Sequence, residues 1–220
     1  MTKRHTICAI IALLILFLSG CRTEPEIISL DIFAQEVSIS GTYVHNATGV
    51  EFPEHFIPFE RVSIWEYDQT GNNIGVGYNL SSIREPASLT LYLYPSSPSC
   101  FRDGQWKSMS PAAAFHEHYM DTLLNLLVSC KDPVVLDMKT YTLNQFGQSL
   151  TGKRAIVKLT GLFAGYEQEC ISCLYMFYYK NWFVQYRVTF PSEVYELAQE
   201  STENFIRNFP VLPKMISQDF

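Results

Sequence analysis

The sequence is short of positive charge. It carries 16 Lys and Arg against 22 Asp and Glu over 220 residues. A nucleic-acid partner needs a basic footprint, and docking on anionic lipid needs basic clusters, so both classes are disfavoured. A membrane-spanning run is lacking too. The longest uncharged apolar stretch, Thr6 to Phe17, is shorter than the roughly 20 residues a bilayer-crossing helix requires. Several catalytic signatures are also missing. There is no G-x-S-x-G elbow, and His116-Glu117 begins an H-E-x-x-H pattern that Met120 breaks. "GQSLTGKR" places Gly147, Gly152 and Lys153 as in a phosphate-binding loop. Arg154 stands where a hydroxyl would hold magnesium, however, and "RAIVKLT" continues as a strand, so no helix N-terminus faces a phosphate. Paired acids such as Glu51 with Glu54 and Glu167 with Glu169 read as solvated charges. No cofactor or metal is expected.

What is present begins at the N-terminus. Lys3, Arg4 and His5 precede the apolar stretch, and Leu18-Ser19-Gly20-Cys21 ends it. A basic start with an apolar core of this length fits a secretory signal. The last four residues resemble the lipobox of bacterial lipoproteins. That resemblance implies removal of residues 1–20, a diacylglycerol on the Cys21 thiol, and further acylation of the new terminus. Several acyl chains anchor stably where one does not. Arg22 follows Cys21 in place of the Asp that retains enteric lipoproteins in the inner membrane, which implies an outer-membrane address facing the periplasm. From Cys21 onward the balance is 14 basic to 22 acidic residues. Residues 21–29 read as a lipidated tether, and residues 30–220 as one domain without internal repeats.

The domain is expected to be α+β, a mainly antiparallel sheet with two main helices packed on it as an α/β sandwich. Ser110-Pro111 is an N-cap followed by proline at the first helical position. Phe115, Tyr119, Leu123, Leu126, Leu127 and Cys130 recur at helical spacing, and Pro133 is the stop. A second helix follows Pro191-Ser192, with Val194, Leu197, Ala198, Phe205 and Phe209 as its stripe and Pro210 as its end. Elsewhere the period is two. Leu89, Leu91 and Leu93 alternate with Thr90, Tyr92 and Tyr94; Arg61 to Tyr67 and Ile74 to Tyr78 flank the turn "DQTGNN"; Val134 to Thr142 and Arg154 to Leu162 read as strands. A two-residue turn at Lys180-Asn181 sets Tyr179 against Trp182, Phe177 against Val184, Tyr175 against Tyr186, Cys173 against Val188 and Ile171 against Phe190. That face is wholly apolar or aromatic, so a one-residue slip is excluded. Both helices are expected to cover this single buried face.

The order of elements resembles the Mog1/PsbP-like α/β/α sandwiches, some of which are bacterial lipoproteins. "FPEHFIPFERVSIWEYDQTGNNIGVGYN" with "LTLYLYP" resembles a family of uncharacterised bacterial proteins over about the first third of the mature chain. That family implies no activity, and no functional residue is carried over.

Beyond Cys21, four cysteines remain: Cys100, Cys130, Cys170 and Cys173. An even number in an oxidising compartment suggests two disulfides in one of three connectivities. Cys170 and Cys173 lie three apart in a strand, about 10 Å between Cα atoms, beyond the reach of a disulfide and away from any thiol-activating helix terminus. A Cys130–Cys173 bridge is expected, since Cys130 ends a helix placed over the face that carries Cys173, with Cys100–Cys170 remaining. His116 and His118 are expected to face solvent. Gly75 and Gly77 mark close approach, through packing or a ligand. These readings combine into a membrane-anchored, non-enzymatic envelope lipoprotein that binds a protein partner, in an assembly role or as an immunity protein against a basic toxin. The alternatives are an envelope hydrolase with a spatially assembled site, or a small-ligand-binding lipoprotein.

Overall fold

The computed structural model describes residues 33–80, 86–96, 99–102, 105–145 and 147–211, with side chains omitted for 99–108. The compact unit begins at Ala34. Its strands are β1 Gln35–Glu36, β2 Tyr43–Val44, β3 Glu51–Phe52, β4 His55–Phe56, β5 Phe59–Glu66, β6 Ile74–Leu80, β7 Ala87–Pro95, β8 Ser99–Arg102, β9 Gln105–Ser108, β10 Lys131–Gln145, β11 Gln148–Phe163, β12 Tyr166–Tyr179 and β13 Trp182–Pro191. Helix α1 spans Pro111–Val128 and helix α2 spans Tyr195–Asn208. The main sheet runs β1-β5-β6-β7-β13-β12-β11-β10, with β4 also on β5, and every pairing is antiparallel. β2–β3 and β8–β9 form separate ribbons. Mixed α+β architecture with a mainly antiparallel sheet is therefore what this sequence adopts.

The β12–β13 hairpin has the register that its alternation demands. Tyr179 opposes Trp182, Tyr175 opposes Tyr186 and Ile171 opposes Phe190. Lys180 and Asn181 both take positive φ, 47° and 65°, as a two-residue turn between twisted strands requires. "DQTGNN" is likewise a turn. The Asp68 carboxylate accepts from the backbone N–H groups of Thr70, Asn72 and Asn73, each at 3.0 Å.

The helices do not share a face. Phe205, Ile206 and Phe209 pack with Cys173, Tyr175, Phe177 and Tyr186. Tyr119, Leu123 and Leu126 pack instead with Ala155, Val157, Leu174, Met176 and Phe183. Successive strand residues point to opposite sides, so α1 and α2 lie on opposite faces. The single buried face expected from the hairpin is corrected for a physical reason. Leu174 and Met176 sit beside Ala155 and Val157 of the neighbouring strand, and together they make a second apolar surface that needs a cover.

Element ends also shift. α1 stops at Val128, Cys130 lies in a bend, and Pro133 falls inside β10, where a register irregularity on this edge strand tolerates a missing N–H. Ser110 caps α1 as expected, its hydroxyl accepting from Ala113 N at 3.3 Å. Val194 belongs to a short 3-10 turn preceding α2, and Leu197 is 52% exposed, outside the buried stripe of Ala198, Thr202, Phe205 and Ile206. Among the described residues, no helix is long and apolar enough to cross a membrane.

Candidate functional site

A concavity lies on the outer edge of β5, between β1 and β4. It is a groove of about 500 Å³ whose lining includes Glu36, Glu54, His55, Glu60, Arg61 and Val62. Its floor is shaped by a bulge in β5. The register with β6 slips between Arg61 and Ser63, which frees Val62 to lie 55% exposed. Gly77 permits this approach, since a Cβ there would meet Ser63 Oγ at 2.5 Å. Its place in the strand is thus explained by packing.

Arg61 organises the groove. Its guanidinium donates to the carbonyl of Phe52, to Ile39 O at 2.9 Å and to Gly41 O at 2.7 Å. Glu54 Oε1 accepts from Gly41 N at 2.5 Å. With the guanidinium committed to carbonyls, the polar groups facing outward are mainly carboxylates. His55 Nδ1 stands 4.0 Å from Glu60 Oε1, both side chains about two-thirds exposed. An open, carboxylate-rimmed groove suits a cationic or donor-rich guest.

A second polar constellation lies under α1. Tyr94 Oη donates to Gln185 Oε1 at 2.8 Å and stands 2.7 Å from His118 Nε2. The imidazole stacks on Phe183 with centroids 4.5 Å apart. Burial lowers the His118 pKa, opposed by the nearby Asp121 charge, and burial raises that of Tyr94. His118 is thus a packed residue, which corrects its expected solvent-facing position. His116 is exposed and accepts from Lys153 Nζ at 2.6 Å. A third group is buried beneath α2. Arg154, 7% exposed, binds Asp137 at 2.5 Å and Glu203 at 3.2 Å. Sequence reading saw Arg154 only as a misfit in a phosphate loop. The available signal was a charge in register with Ile156, on the face opposite Ala155 and Val157.

The phosphate-loop pattern dissolves in the structure. Gly152 and Lys153 are inside β11, and a Cβ at Gly152 would strike Met176 O and the Phe177 ring. Among the described residues, no group of three or more His, Cys, Asp or Glu is placed to hold a metal.

The cysteines separate cleanly. Cys130, Cys170 and Cys173 are free thiols. Cys170 belongs to the α1 side and Cys173 to the α2 side, so the C-x-x-C residues point apart as expected. Cys130 packs on the α1 side. The expected Cys130–Cys173 bridge is therefore overturned, because the sheet lies between them. Burial pushes the Cys173 thiol up to about 12, the state of an inert core residue. Cys21 and the whole signal and tether lie outside the described residues, as does the side chain of Cys100.

Comparison with known proteins adds little. No family model matches the chain, and no curated protein does. Among solved structures, the crystal structure of PA94 from Pseudomonas aeruginosa, a protein of unknown function, aligns weakly with this chain. Identity is 10% and the TM-score is 0.38, over 76% of this chain and 92% of that one.

Proposed function

We propose that this protein is a lipid-anchored protein of the bacterial envelope whose domain binds a protein partner and performs no chemistry of its own. The observation that carries the reading is the order of Lys3 and Arg4, the uncharged stretch to Phe17, and Leu18-Ser19-Gly20-Cys21. Cys21 carries the acyl chains, residues 21–29 form the tether, and Arg22 favours the outer membrane, facing the periplasm. The domain then works at a fixed height above a lipid surface.

The β5 groove supports the binding half of the reading. Its outward groups are mainly carboxylates, matching the acidic balance of the chain. A partner with a basic, donor-rich surface fits it, as a toxin neutralised by an immunity protein would. With one helix on each face, the domain reads as an α/β sandwich.

Two measurements test this. Mass spectrometry of the N-terminal peptide should find acylated Cys21, and Cys21→Ser should leave the membrane fraction. A photocrosslinker at Val62 should capture one partner, and crosslinking should fade when Glu36, Glu54 and Glu60 become Gln. Membrane retention of the Cys21→Ser chain would remove the anchor. Crosslinking indifferent to the three charges would remove the groove.

A further inference from the structure

We propose that the outer edge of β10 pairs with the same edge of a second copy of this chain. The two strands run antiparallel about a two-fold axis at Met138, and the sheets join into one. β10 closes one end of the sheet order and is 15 residues long. Native edge strands are usually kept short, charged or covered, because their outward backbone groups otherwise recruit another strand. Among the described residues, no strand pairs with the outer edge of β10. Its side chains are uncovered as well. Val134, Val135, Leu136 and Met138 are each between 42 and 54% exposed.

Both sides of β10 contribute. Val135 opposes Val157 and Met138 opposes Ala155, and those two opposing residues are packed beneath α1. Opposed residues share a face, so Val135 and Met138 stand on the α1 side. α1 touches β10 yet leaves Leu124 and Val128 exposed. A strand and a helix thus present apolar groups on one side of an open edge, a surface of the kind that marks a protein contact. Asp137 opposes Ile156 and Lys139 opposes Arg154, which sets both charges on the α2 side.

Those charges select the occupant. A strand that reads acid, Met138, base is its own complement when turned antiparallel. With Met138 opposite its own copy, Asp137 of one copy faces Lys139 of the other, and the reverse contact follows by symmetry. Moving the axis to Lys139 would oppose two lysines, and moving it to Asp137 would oppose two aspartates; both are disfavoured. Arg154 fixes Asp137 from within its own chain. Lys139 Nζ stands 3.5 Å from Asp137 Oδ2, so the ammonium already lies at the level of the acid. A register shift between Val135 and Asp137 ends the regular ladder there. The joint is therefore short, and its apolar flank carries much of it.

The β5 groove is near the other end of the sheet order, so the dimer leaves both grooves open. The inference does not rest on the proposed envelope role. Light scattering of the purified full chain carrying Cys21→Ser, which keeps acyl lipid from driving association, should give twice the monomer mass. Lys139→Glu makes both charge contacts repulsive and should raise the dimer Kd by more than about tenfold. Circular dichroism and Tm should not change, since the Lys139 side chain is exposed. Met138→Cys should crosslink on mild oxidation, because directly opposed Cα atoms lie about 5.5 Å apart, within disulfide reach. Mass spectrometry should find two copies of the peptide bearing that site joined to each other. Val62→Lys, on the opposite edge, should leave the dimer intact. A chain that stays monomeric up to its solubility limit would overturn the proposal. So would a dimer that tolerates Lys139→Glu, one that Val62→Lys dissolves, or one in which Met138→Cys stays reduced.

Discussion

Tyr94 Oη lies 2.7 Å from His118 Nε2 while donating its own hydrogen to Gln185 Oε1, 2.8 Å away. The phenol oxygen must then accept from His118, so Nε2 carries the proton. One helix residue and two strand residues are locked into a single polarity, and nothing in it calls for a charged imidazole.

His45 is held the same way. It is fully buried, with Nε2 3.0 Å from Gly71 O and Nδ1 2.7 Å from Thr48 Oγ1. Both imidazoles have pKa values lowered from 6.5, burial being the main cause, against partial opposition from Asp121 at His118 and from the Gly71 carbonyl at His45. The unfolded chain binds these protons more readily. Stability is therefore complete above about pH 6.5 and falls as pH drops toward the depressed folded values. Thermal unfolding at pH 7.5 and 5.5 should show the loss. His118→Leu should flatten the dependence, since Tyr94 keeps Gln185. An unchanged slope in that variant would place the titration elsewhere.

Arg154 offers a different kind of test. Its side chain is 7% exposed and serves both Asp137 and Glu203, while its Nε has no partner among the described residues. Arg154→Met should lower stability by about 2 kcal/mol, because Glu203 loses a charged partner at a site only 22% exposed. Adding Glu203→Leu should recover part of the loss, because the less exposed of the two carboxylates is then gone and Asp137 keeps Lys139 at 3.5 Å. Urea denaturation of the single and double variants measures this coupling.

Phe205 is the centre of the α2 core. Its ring meets Phe56, Phe59, Tyr78 and Phe209 at centroid distances of 5.2, 5.0, 5.2 and 4.9 Å. Phe205→Ala should cost about 3 to 5 kcal/mol through lost transfer energy and the cavity left behind. Exposed Leu197 on the same helix is the control, and Leu197→Ala should change stability by no more than about 0.5 kcal/mol.

Gly152 separates the strand from the phosphate loop. Gly152→Ala should destabilise the fold by about 2 kcal/mol, because the new methyl drives into Met176 O and Phe177. Wild-type protein titrated with a magnesium nucleotide should show no shift in melting temperature.

Much of the sheet was legible in the residues themselves. The β12–β13 pairing followed from alternation and one turn, because a slip of one residue would turn every aromatic to the other side. Ser110-Pro111 marked a helix start through groups lying within one turn. The groove was not legible. Arg61 reaches carbonyls at residues 39, 41 and 52, brought to it only when β1 to β5 fold together. His118 was misread because helical spacing alone does not say which sheet residues will stand opposite it.

The sequence by itself determined the strand register, the main helix start and the exclusion of a Cys170–Cys173 bond, all consequences of short-range geometry. Tertiary structure alone decided that α1 and α2 take opposite faces and that Cys130 sits with Cys170 instead of Cys173. The reason is that both faces of β12 are apolar. Alternation sorts residues into two sides, but which helix covers which side depends on how the long connections between strands are routed.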